Sequence, residues 1–136
     1  MIPKFRARDE RGNWHVGLLT FMFGQYAIVN ETDENTVYLI DKETIGQSTG
    51  FKDDNGVEIF EGDIGQYRDG EYSYLGIVKR DCYQFFIDGT EPDDSYDFID
   101  VSNTFDGTSS LEVIGNIHEN PELLEKASEE DDSKIF

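Results

Sequence analysis

In IPKFRARD, near the start of the chain, the apolar Pro3, Phe5 and Ala7 alternate with the cationic Lys4, Arg6 and Arg8. Successive side chains of an extended backbone point to opposite faces, so a pattern of period two hides one side only as a β-strand. The same rhythm returns at Tyr83, Phe85 and Ile87 against Gln84, Phe86 and Asp88, with Phe86 an apolar outlier, and at Leu111 and Val113. Turn-forming clusters break these runs at Glu10-Arg11-Gly12-Asn13, Asn30 to Asn35, Arg68-Asp69-Gly70 and Lys79-Arg80-Asp81. Seven Tyr, ten Phe and one Trp reinforce the strand preference. The expected class is all-β.

The pattern divides into pieces. Residues 1–46 read as a small N-terminal antiparallel β unit, with WHVGLLTFMF as a strand and YAIVNETDENTVYLI as a hairpin. Four short strands stand at the lower limit for an independent sheet, so this unit is expected to be packed on the next. Residues 47–119 have the rhythm of an SH3-like β-barrel: a Gly-Asp turn that launches a strand, a strand around Gly76-Ile77-Val78, then an aromatic strand. Between Thr90 and Ser110 the expectation is a strand flanked by loops, or a flap. Residues 120–136 read as a short helix, started by Asn120-Pro121-Glu122, and an acidic tail.

The formal charge is −19, from 30 acids against 11 Lys and Arg. Residues 1–16 stand at +2 and the remainder at −21, with no Lys or Arg from Asp81 to Glu125. Direct nucleic-acid binding is not expected, because phosphate contacts need clustered cations. No uninterrupted apolar run resembles a signal peptide or a membrane span, and a single cysteine, Cys82, excludes an internal disulfide. A cytoplasmic protein without membrane association is expected.

The stretch QSTGFKDDNGVEIFEGDI, residues 47–64, is the place to look for chemistry. A calcium loop counted from Asp53 needs glycine sixth and glutamate twelfth, and finds Glu58 and Ile64. The preferred reading is structural: Asn55-Gly56 makes a tight turn whose aspartates bond local amides, Gly62 permits a second turn, and Asp63 caps it ahead of Ile64. Cys82, His15 and His118 form no local catalytic or zinc motif. No catalytic residue, metal or cofactor is expected. Lys4, Arg6 and Arg8 are candidates for a charged contact surface, or for solvating an edge strand. Tyr67, Tyr72 and Tyr74 are candidates for an aromatic platform, or for cross-strand packing.

Three pieces in order, IPKFRARD, QSTGFKDDNGVEIFEGDI and EVIGNIHENPELL, resemble the signatures of the YopX family of phage and prophage proteins, with Arg8 standing where that family commonly has Trp. The resemblance implies an all-β fold and residence in the cytoplasm of a bacterial host, and brings no reaction with it. The expected function is therefore a non-enzymatic interaction or assembly module that self-associates or binds a host or phage protein. The alternative is an acidic decoy that mimics nucleic acid for a host nucleic-acid-binding protein.

Overall fold

The computed structural model of the protein describes residues 3–81, 84–91 and 94–124. Cys82 and the expected acidic tail lie outside the described residues. The chain forms two compact units, Met1–Ser48 and Thr49–Phe136.

In the first unit the alternating strand becomes β1 (Phe5–Arg8), followed by β2 (Trp14–Met22), β3 (Gln25–Asn30) and β4 (Val37–Leu39). A 3-10 turn at Lys42–Thr44 precedes β5 (Gly46–Lys52), whose first residues pair antiparallel with β1, giving the order β5-β1-β2-β3-β4. The alternation of β1 is cashed out in burial: Ala7 is fully buried with Ile28 and Ile40, and Phe5, Leu19, Tyr38 and Ile45 pack around them. Thr44 ties the 3-10 turn to β1, its hydroxyl accepting from Arg8 N–H at 2.7 Å and donating to Asp41 C=O at 2.6 Å.

The β2–β3 turn is unusual. Phe23 and Gly24 have φ of +52° and +77°, the paired positive values of a mirror-image hairpin turn. Phe23 is the only non-glycine with positive φ among the described residues, and its ring is 92 % exposed.

In the second unit β5 pairs with β6 (Glu58–Phe60), and β7 (Asp63–Asp69), β8 (Tyr72–Arg80), β9 (Phe85–Glu91) and β10 (Ser95–Asp97) form an antiparallel meander. After a 3-10 turn at Phe98–Val101 and the two-residue strands β11 (Ser102–Asn103) and β12 (Thr108–Ser109), β13 (Glu112–Asn116) returns to pair with β7. The core is Ile59, Tyr74, Val78, Ile87, Phe98 and Leu111. Full burial of each aliphatic side chain there contributes about 1.5–3 kcal/mol. Close packing also fixes Gly65, where an added Cβ would lie 2.4 Å from the Leu111 side chain.

All-β holds, but the sheet β10-β9-β8-β7-β13 does not close into the expected barrel. Between the edge strands β10 and β13 the chain forms a 3-10 turn and two-residue strands that pair with each other and, at Thr108 with Lys52, with β5, not with either edge. The segment expected as a flanked strand or flap instead drives Phe98 into the core, 3 % exposed. The C-terminal helix starts as a single turn, with Leu123 N–H donating to Asn120 C=O and Leu124 N–H to Pro121 C=O. Asn120 precedes that turn, and its Oδ1 accepts from Asn116 N–H at 3.2 Å.

Candidate functional site

Within residues 53–63, the Asp53 and Asp63 carboxylates hold backbone. Asp53, 2 % exposed, accepts through Oδ1 from Asn55 and Val57 N–H, both at 2.9 Å, and through Oδ2 from Val113 N–H at 3.1 Å. Gly56 takes the positive φ, +82°, while Asn55 donates from its amide to Glu112 Oε1 at 3.5 Å. Gly62 turns at φ +93° and is bonded to Val78 and Ile117. Asp63, 1 % exposed, accepts from Phe60 N–H at 2.7 Å, and Ile64 beside it is fully buried. Both carboxylates satisfy backbone amides: those of Asn55 and Val57 in the turn, of Phe60 at the end of β6 and of Val113 in β13. No cluster of three or more metal-ligating side chains occurs among the described residues.

Lys4, Arg6 and Arg8 are engaged within their own unit. Lys4 Nζ lies 3.6 Å from Glu31, and the guanidinium groups of Arg6 and Arg8 sit over the Trp14 ring, 5.0 and 5.7 Å from its centroid. Arg8 faces Trp14 directly in the β1–β2 register. Nearby, a cleft of about 1010 Å³ is bordered by Arg8, Arg11, His15, Tyr38 and Asp41. In it His15 Nε2 is 2.8 Å from Asp9 Oδ2, and its ring stacks on Tyr38 at 3.6 Å. The His15 hydrogen bond, with the N–H groups of Asn13 and Arg11, holds the Asp9 carboxyl down to about 2. Asp9 thereby closes the β1–β2 turn, and no Ser, Thr or Cys borders the cleft among the described residues.

The tyrosines of the second unit converge. Tyr67 and Tyr74 are cross-strand partners on β7 and β8, and Tyr72 lies two residues before Tyr74, on the same face. With Tyr96 from β10 they border a pocket of about 280 Å³, completed by Ile87, Val101 and Asp100. The rings meet edge to face: Tyr67 and Tyr72 at 6.5 Å and 65°, Tyr74 and Tyr96 at 5.1 Å and 76°. For Tyr74 the packing alternative applies, since it belongs to the core of the second unit. It is 2 % exposed because it spans the core, and its hydroxyl donates to Asp94 C=O at 2.5 Å. Burial pushes its phenol well above the ordinary value, and a hydrogen bond with Tyr96, then burial, pushes Tyr72 up to about 12. Tyr72 and Tyr96 remain open to solvent, 43 % and 41 % exposed.

Tyr96 was missed by sequence reasoning. The usable signal was an aromatic residue inside an acidic run, Ser95-Tyr96-Asp97, next to the core residue Phe98. Charge follows the division into units: residues 1–48 carry five Lys and Arg against seven acids, net −2, and residues 49–136 carry six against twenty-three, net −17.

An all-β chain of two compact units with an aromatic pocket in the second is thus defined by its own geometry. Its sequence matches the model of the YopX protein family over residues 4–125, and the protein belongs to that family. It is similar to the crystal structure of protein EF1440 from Enterococcus faecalis, with 28 % identity, coverage of 91 % of this chain and 99 % of that one, and a TM-score of 0.50. No curated protein matches the chain. No helix among the described residues is long and apolar enough to cross a membrane.

Proposed function

We propose that the protein is a non-enzymatic interaction module, acting in the cytoplasm of a phage-infected or prophage-bearing bacterium, whose contact site is the tyrosine pocket of the second unit. The observation that carries this reading is the convergence of Tyr67, Tyr72, Tyr74 and Tyr96 on one pocket with two rings left open. Aromatic side chains offer large, rigid contact area at low entropic cost and are enriched at interface centres. The pocket supports this role better than β1, whose arginines already rest on Trp14. The order of the second unit fits an SH3-like scaffold: a four-strand meander, a 3-10 turn, and a last strand returning to the first. The partner is a second copy of the chain or a host or phage protein.

The acidic decoy remains the second reading, favoured by the net −17 of residues 49–136. Affinity capture from infected cells, with and without nuclease, separates the two. The module reading expects a nuclease-insensitive partner retained by the wild type and lost by Tyr96→Ala. Retention by that variant with displacement of the partner by DNA supports the decoy instead.

A further inference from the structure

Resting on the reading of the tyrosine pocket as the contact site, we propose that this pocket is an aromatic cage that selects a cationic side chain, lysine or arginine, from a partner protein. Aromatic rings carry negative potential on their faces and attract an ammonium or guanidinium within about 6 Å of the centroid. Here four rings border one space of about 280 Å³, and the two contacting pairs are steeply inclined, at 65° and 76°, so their planes are not stacked face against face. A parallel stack would bury those faces against one another.

The charge around the pocket points the same way. Asp100 lies in its lining, no Lys or Arg lines it among the described residues, and the sequence of the unit it belongs to, residues 49–136, is strongly acidic. An anionic ligand is repelled by this field, and a neutral apolar one gains nothing from Asp100. The phenols of Tyr72 and Tyr74, both pushed above their ordinary value, stay un-ionised at neutral pH and add no charge of their own. The chain already uses this chemistry internally, where Arg6 and Arg8 lie over Trp14.

Titration of the full chain with N-acetylated, C-amidated lysine, trimethyllysine, arginine and norleucine, read by saturation-transfer NMR, tests the cage. The three cations are expected to bind saturably and about tenfold tighter than norleucine, the neutral comparator. Tyr96→Ala and Tyr72→Ala, at half-open positions, should abolish that preference while their circular dichroism stays that of the wild type. Tyr96→Phe, which keeps the ring face, should retain it, and Asp100→Asn should weaken binding and flatten its salt dependence. Norleucine binding as tightly as lysine, or no binding by any cation, overturns the cage. If the cations fail while Tyr96→Ala still loses a captured partner, the cage falls and the interaction module stands; cation binding with no partner captured does the reverse.

Discussion

At Phe23 the chain accepts a conformation that its side chain disfavours. A residue with Cβ costs roughly 1–2 kcal/mol in the left-handed region, and an exposed ring recovers little of that by burial. Phe23→Gly should therefore stabilise the protein by roughly 0.5–1 kcal/mol after the extra freedom of glycine in the unfolded chain is subtracted, seen as a higher thermal midpoint. Asp9 makes a prediction on pH. Its folded value of about 2 lies below the unfolded 3.8, so between them the unfolded chain binds a proton that the folded chain refuses. The contribution is complete above the unfolded value and lost as pH falls through about 2. Melting curves taken across that window should show an acid-side decline in the wild type that is smaller in Asp9→Asn. The turn roles of Asp53, Gly56, Gly62 and Asp63 were legible in sequence because capping acts over two to four residues, as the bonds to Asn55, Val57 and Phe60 illustrate. Phe23 was not, because Phe-Gly carries no turn signature of the Asn-Gly kind.

Among the elements, β2 and β3 approach closely at Gly17, where an added Cβ would fall 1.8 Å from the Val29 carbonyl oxygen. Backbone cannot retreat as a flexible side chain can. Gly17→Ala should cost at least about 2 kcal/mol, measured by denaturant unfolding, and should reduce amide protection along both strands. An unchanged midpoint would mean that this close approach relaxes freely. The strands themselves were readable from alternation, as β1 shows, since period two is local. The closure of the second sheet was not readable. It depends on what residues 95–109 do, and a polar run carrying Tyr96, Phe98, Ile99, Val101 and Phe105 without a sustained alternation gives no register. The tyrosine pocket shared that fate: Tyr67, Tyr72 and Tyr74 stood out on a hairpin, whereas Tyr96 joins them only through the β9–β10 pairing.

For the whole molecule, a net charge of −17 over residues 49–136 opposes compaction through self-repulsion. Salt screens that repulsion over a Debye length of about 10 Å at 0.1 M, so the thermal midpoint should rise with sodium chloride. A fall with salt would instead assign net stabilisation to its ion pairs. The acidity and the aromatic pocket meet in the claim that the second unit reads a cation on a partner. Tyrosine-selective ring labelling, followed by NMR during titration with tetramethylammonium, tests this most directly. The resonances of Tyr67, Tyr72, Tyr74 and Tyr96 should move together along one saturation curve while those of Tyr26 and Tyr38 in the first unit stay in place. Movement of Tyr26 and Tyr38 alone, or no saturable movement of the pocket rings, would contradict it.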